Sequence, residues 1–365
     1  MLYELHRLSA SFAALHIFES VVFRAAFAGI TAFFLCLMFG PSMIQWLRIK
    51  KLGEDTSKTD SPDLKELHKQ KKGTPTMGGV LIIGALSVSS LLWMRWDLYF
   101  SWLVLLSGWQ LCVIGILDDW IKLTRSGESG LSARAKLGLQ MLTGLCIGLG
   151  LYLYGDPAWS TRITFPLIDP ATFSLDLGPL YVLFAGLVVA FTSNAVNLTD
   201  GLDGLAIGNV TITALAFGLI AFLCGNEHAS QWLRVPTIVG AQELSIIAAA
   251  MAGAGAGFLW FNAHPAEVFM GDTGSLALGG MIGSMALVVK QEALLVLVGG
   301  VFFIEIGSVM LQVASFKLRG KRIFLCAPFH HHLQMKGWSE NRIVTRMWIL
   351  GLLLAAFSLL SLQMH

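Results

Sequence analysis

Ten apolar stretches occupy most of this chain: residues 21–47, 76–96, 98–121, 131–154, 178–195, 202–224, 244–261, 274–289, 293–316 and 343–362. A helix crosses the hydrocarbon core of a bilayer with about 20 mostly apolar residues. These runs have that length, and they are too uniform for the alternation of barrel strands. The composition agrees, with 55% hydrophobic and only 13% charged residues, against roughly 45–50% and about 25% in a soluble domain. Soluble globular and disordered classes are excluded. The predicted fold is an all-α polytopic membrane protein of about ten transmembrane helices, one integral membrane domain over 1–365.

Basic residues set the orientation. Nineteen of the 25 Lys and Arg lie in the segments after the first, third and ninth runs, so those segments are predicted to be cytoplasmic and both termini periplasmic. The cytoplasmic loops are then 48–75, 122–130, 195–203, 262–273 and 317–342. Leu5, Leu8, Phe12 and Leu15 recur at spacings of three and four, which predicts a short interfacial helix within 1–20. Residues 155–177 are polar, contain Pro157, Pro166 and Pro170 and the β-prone Thr161–Phe165, and read as a periplasmic hairpin. The five cysteines are odd in number and unpatterned, which suits small buried hydrophobes better than disulfides.

The unusual polar residues gather on the predicted cytoplasmic side. Asp118 and Asp119 close the third run, Asn197, Asp200 and Asp203 lie between the fifth and sixth, Asp272 precedes the eighth, and His330, His331 and His332 sit in the last loop. Each has a plain alternative. Asp200 or Asp272 would serve as a helix N-cap, Asp118-Asp119 as a solvated helix end, and the histidines as a surface loop. Five carboxylates on one face of so uncharged a chain are harder to dismiss, because like charges brought together repel unless a cation joins them. Asp and Asn oxygens without thiolates favour Mg2+ or Mn2+, with substrate phosphates completing the shell; Cys326 and His330 make only a weak zinc pair. Lys71, Lys72, Lys122, Lys136 and the histidines would face the phosphates. The glycine-rich loop 73–79, which includes Thr76, offers either backbone amides to a ligand or close helix packing. Phe269, beside Asp272, reads as a base-stacking platform or an interfacial aromatic.

The segments Lys71–Gly79, Leu117-Asp-Asp119, Asn194–Gly204, Phe269–Ser275 and Ala327–His332 together resemble the motifs of the phospho-N-acetylmuramoyl-pentapeptide transferases, within the polyprenyl-phosphate N-acetylhexosamine-1-phosphate transferase superfamily. The resemblance runs from about residue 20 to the C-terminus. It implies transfer of phospho-MurNAc-pentapeptide from UDP-MurNAc-pentapeptide to undecaprenyl phosphate in the bacterial inner membrane, giving lipid I and UMP, with Mg2+ as cofactor. It implies Asp272 as the Mg2+ ligand with Asp118 as a second candidate, and Asp118 and Asp119 beside the reacting phosphates. A nucleoside pocket would comprise Lys71, Asn197, Asp200, Asp203, Asn262 and Phe269, with Lys122, Lys136 and Gln312 near it. It further implies a ten-span homodimer with a bent ninth helix; no nucleic-acid partner is expected.

Three alternatives remain at this point. One is a related transferase acting on N-acetylglucosamine 1-phosphate. A transporter would carry its ionisable groups near the bilayer midplane on broken, repeated helices, whereas the acids here fall at helix ends. A non-catalytic scaffold gives no reason to gather them. The exception to the helix-end pattern is Glu305, followed by Ser308 and Gln312 on one helical face. That stripe reads either as interhelical hydrogen bonding or as the polar side of a groove admitting the lipid phosphate.

Overall fold

The computed structural model describes residues 2–9, 12–50, 73–124 and 130–364. Lys71 and Lys72 lie outside the described residues. The helices are α1 Val21–Ile49, α2 Gly79–Trp93, α3 Tyr99–Thr124, α4 Ala133–Tyr154, α5 Leu180–Thr199, α6 Leu205–Gly225, α7 Glu227–Trp232, α8 Leu244–Asn262, α9 Gly271–Val288, α10 Glu292–Val298, α11 Gly300–Arg319, α12 Phe329–Met335 and α13 Glu340–Ser361. Among the described residues eight are long and apolar enough to cross a membrane: α1, α3, α4, α5, α6, α8 with the turn before it, α11 and α13. Serine side chains start two of them. Ser20 accepts from Phe23 N at 3.3 Å and Ser132 from Ala135 N at 3.3 Å, each satisfying an N–H that a helix end leaves free.

The second and eighth apolar runs correspond to helices of a different kind. α2 has only 15 residues. α9 carries Asp272 and many small residues, and every position from Asp272 to Val288 is buried. It forms the centre of the bundle, packed by α3, α5, α2 and α6. Glycines permit that approach, since a Cβ on Gly79 would come within 2.1 Å of Gly274 N, and one on Gly115 within 2.4 Å of the Asp272 carbonyl. Small residues at such contacts let backbones meet where lipid gives no hydrophobic drive to associate.

Two other expectations change in detail. The ninth run is broken at Gly299 into α10 and α11. The N-terminal segment is not one α-helix but two 3-10 helices, Leu2–Leu8 and Ala13–Glu19. The expected hairpin is present as β1 Arg162–Ile163 and β2 Leu175–Asp176, antiparallel, with Arg162 opposite Asp176. It is pinned to the far end of α9 by Thr164 Oγ1 donating to Lys290 O and Lys290 Nζ donating to Ser160 O. A smaller apolar cluster of Leu202, Leu205, Val301, Leu333, Ile343, Val344 and Met347 ties the start of α6 to α11, α12 and α13. It sets the histidine segment beside the turn at 200–204.

Candidate active site

The end of α3 and the start of α9 bring Asp118, Asp119 and Asp272 together, with one oxygen from each lying within 4.8 Å of the others. The three do different work. Asp119 caps α9 from outside: Oδ1 accepts from Asp272 N at 3.2 Å, and Oδ2 accepts from Thr273 N at 3.0 Å and Thr273 Oγ1 at 2.7 Å. An anionic oxygen is favoured there by the free N–H groups and the positive end of the helix dipole. Asp118 Oδ1 accepts from Leu131 N at 2.8 Å, which draws the segment before α4 onto α3. Asp272 Oδ1 accepts from Asn197 Nδ2 at 2.7 Å, and Asn197 also donates to Ser275 Oγ at 2.8 Å.

Two lysines converge on the remaining oxygens. Lys122 Nζ lies 2.7 Å from Asp118 Oδ2 and 3.0 Å from Asp272 Oδ2. Lys136, on the first turn of α4, donates to the same Asp272 Oδ2 and stands 3.7 Å from Asp118 Oδ2. With all five groups ionised, one negative charge is left unmatched. The donor set is oxygen throughout, so a hard divalent cation suits it better than zinc or copper. Asp272 and Asp118 would hold such a cation, because Asp119 is already committed to the helix end. Asp118, Asp119, Asp272, Lys122, Lys136 and Asn197 therefore form one centre, Asn197 through its hydrogen bond to Asp272.

The loop 73–79 supplies close packing. Two of its amides are engaged within the protein: Gly78 N donates to Phe269 O and Gly79 N to Met270 O, both at 2.9 Å, and Phe269 N donates back to Pro75 O at 2.8 Å. This pairing fixes Phe269, half-buried, and buries Thr76 against Gly271. At Gly78 and Gly79 the loop therefore serves close packing, with both amides committed to the segment before α9.

Several residues expected to touch substrate have partners within the protein. Asn262 is a brace, its Oδ1 accepting from Gly204 N at 3.0 Å and its Nδ2 donating to Val268 O at 2.8 Å. Gln312 holds the segment after α11, accepting from Ile323 N and Phe324 N and donating to Phe324 O, all within 3.0 Å. Glu305 is fully buried, and its Oε2 faces both His330 N at 3.2 Å and His330 Nδ1 at 3.1 Å. Ser308 bonds back to Glu305 O. The Glu305–Ser308–Gln312 stripe is therefore an internal scaffold rather than the wall of a groove, because each side chain meets protein backbone or His330.

The histidines are separated in role as well. His330 is buried over Gly201, His331 Nδ1 pairs with Gln334 Oε1 at 2.7 Å, and His332 Nδ1 accepts from Leu325 N at 3.2 Å. Burial first, and then the Lys336 ammonium, lower the pKa of His332. Asp203 lies farther along the same face, its Oδ2 2.9 Å from His264 Nδ1 and 3.2 Å from Ala266 N, while its own N donates to Glu340 Oε1 at 2.7 Å. Asp200 ends α5 next to it.

Sequence reasoning missed Thr273 as the partner of Asp119, Leu131 as that of Asp118, and Ser275 as that of Asn197. The hydroxyls at 273 and 275 flank Asp272 in the sequence and were the available signal. It also missed a buried ion pair at the opposite end of the bundle, Arg24 with Glu243, which is described below.

Comparison with known proteins bears on this centre. The glycosyl transferase family 4 model matches residues 101–290, which include the three carboxylates, both lysines and Asn197. Signature 1 of the phospho-N-acetylmuramoyl-pentapeptide-transferases matches residues 71–83. Over 366 aligned residues the chain is 45% identical to the phospho-N-acetylmuramoyl-pentapeptide-transferase of Desulfotalea psychrophila and 43% identical to that of Syntrophus aciditrophicus, covering all of this chain and 99% of each relative. The chain belongs to the phospho-N-acetylmuramoyl-pentapeptide-transferase family. A relative in Geobacter sp. strain M21 is 45% identical, with both chains covered in full. Family membership makes the 73–79 packing loop part of a family signature, and it makes the chain a transferase.

Proposed function

We propose that this chain transfers phospho-MurNAc-pentapeptide from UDP-MurNAc-pentapeptide to undecaprenyl phosphate, forming lipid I and releasing UMP, at the Asp118–Asp119–Asp272 centre with Mg2+ as the cation. The observation that carries the site assignment is three carboxylates meeting two lysines at helix ends, in a family of this activity. The cation would neutralise the donor diphosphate and hold it in line with the attacking phosphate. Asp272 and Asp118 would ligate it, Asn197 would fix which oxygen Asp272 presents, and Lys122 and Lys136 would face the phosphates. Phe269 would stack on the uracil. Glu305 would act through His330 rather than on substrate.

The reaction is read as a single displacement in which Asp118 orients rather than removes a proton. The attacking phosphate monoester has a second pKa of about 6, so near pH 7 it is mostly a dianion with no proton to lose. The harder task is bringing it to a diphosphate, which calls for cations rather than a base. If Asp118 were an essential base, raising the pH should rescue Asp118→Asn. If it were a nucleophile, lipid-free protein should release stoichiometric UMP without acceptor.

The protein is a multi-pass bacterial inner-membrane protein, for which we propose ten spans, periplasmic termini, a cytoplasmic site and a homodimer. A cysteine introduced at Thr161 should react with an impermeant thiol reagent in intact spheroplasts, and one at Ser61 only after lysis; the reverse pattern would place the site on the wrong side for a cytosolic donor. For the activity, Mg2+-dependent UMP release by purified protein, present with undecaprenyl phosphate and absent without it, is the expected result. Release from UDP-N-acetylglucosamine instead would favour the related transferase.

A further inference from the structure

Asp272 has two carboxylate oxygens and about four lone-pair positions. Oδ1 takes one hydrogen bond, from Asn197. Oδ2 takes two, from Lys122 and from Lys136, which uses both positions on the oxygen that faces Asp118. Asp272 and Asp118, the residues that would hold a divalent cation, meet at this same edge, where two ammonium groups already stand. Cation and lysines are thus competitors for Asp272 Oδ2, and they repel one another at that distance.

The lysines are not equally held. Lys122 lies one helical turn from Asp118 on α3 and is 2.7 Å from its Oδ2, so losing Asp272 leaves it paired. Lys136 comes from α4 and is 3.7 Å from Asp118 Oδ2, beyond hydrogen-bond range, so Asp272 is its principal anchor. Its side chain is only 16% exposed, and a buried ammonium released from one anion requires another. Resting on the cation reading above, we propose that cation binding here is an exchange: the divalent ion displaces Lys136 from Asp272 Oδ2, and the freed ammonium pairs with the donor diphosphate. Lys136 thereby couples the arrival of the metal to capture of the nucleotide. Lys122 stays on Asp118 throughout.

The test measures Mn2+ uptake by the purified full-length protein in nanodiscs, following free Mn2+ by electron paramagnetic resonance, and separately the binding of UDP-MurNAc-pentapeptide. Adjacent opposite charge shifts a carboxylate's affinity for a proton by about one to three powers of ten. Removing that charge in Lys136→Met should accordingly tighten Mn2+ binding at least about tenfold, while donor binding in the presence of Mn2+ weakens. Lys136→Arg, which keeps a competing cation, should stay close to wild type in Mn2+ binding and serve as the folding control. Unchanged or weaker Mn2+ binding in a folded Lys136→Met protein would overturn the exchange while leaving the cation site intact. Wild-type protein that takes up no Mn2+ would overturn the cation site itself, and the exchange with it.

Discussion

The two ends of the bundle bury charge in opposite ways. At one end Arg24 of α1 meets Glu243 before α8, its two terminal nitrogens reaching the two carboxylate oxygens at 2.7 and 2.5 Å, with both residues about 1% exposed. Arg24 also donates to Trp93 O, and Arg95 N donates to Glu243. At the other end three carboxylates share two lysines. One cation for one anion in a fork-to-fork pair closes a structure. An acid surplus on a shared oxygen leaves a centre able to exchange partners. The difference teaches that a buried charge cluster marks function when its stoichiometry is unbalanced, and architecture when it is matched.

The largest expected effect separates the two ends outright. Asp272→Asn keeps the shape of the side chain but removes the charge, and turnover should fall by at least about two powers of ten, as for loss of a central electrostatic group. The melting temperature should fall less than in Glu243→Gln, because Lys122 keeps Asp118 as a partner and the Lys136 side chain is 16% exposed, against 1% for Arg24. A variant with wild-type rate and metal dependence would return Asp272 to a helix-start role. Glu243→Gln should do the reverse, because stranding Arg24 in the interior costs about 3–5 kcal/mol of stability. Thermal melting and yield of folded protein should drop, and the protein that remains folded should turn over normally. A large loss of rate without loss of stability would erase the contrast.

A double replacement sharpens it. Arg24→Met with Glu243→Met removes both charges together, and apolar pairs often match or exceed the buried ion pair they replace. Melting should recover most of what the single variant loses. The equivalent treatment of Lys122 and Asp118 should recover no activity, whatever it does to stability. The smallest effect concerns the nucleotide: Phe269→Ala should weaken UDP-sugar binding by about 1–3 kcal/mol, the range for loss of an aromatic platform under a base. Titration calorimetry giving wild-type affinity would leave Phe269 as a packing residue of the 73–79 loop.

The elements were legible because each is a local property. Apolar length gave eight of the ten expected spans as helices long enough to cross a membrane, and the Thr161–Phe165 stretch lies in the hairpin. The convergence of Asp118, Asp119 and Asp272 was also legible, since five acids in so uncharged a chain needed a common reason. What the sequence could not show was each side chain's partner within the protein. Asn262, Glu305 and Gln312 look like ligand-binding residues in the sequence, yet each meets backbone or a histidine brought near by folding. Nothing near Arg24 in the sequence points to its buried pairing, because its partner lies 219 residues away. Polar type and spacing reveal that a hydrogen bond must be made, and only the packed chain reveals with what.

The complete enclosure of α9 has a consequence for what kinds of change this chain can absorb. A helix with one face in lipid tolerates the insertion of a residue near its end, since the rotation of about 100° moves side chains along a border that lipid can accept. α1, with Phe34, Met38, Phe39 and Trp46 outward, has such a border. Between Asp272 and Val288 there is none. One added or deleted residue there would turn every downstream side chain into a different neighbour and carry Gly279 and Gly283 away from α5, where they now meet Thr192 and Ser193. Length variation among natural or engineered versions of this fold should therefore accumulate in the loops and the outer helices and stop at α9.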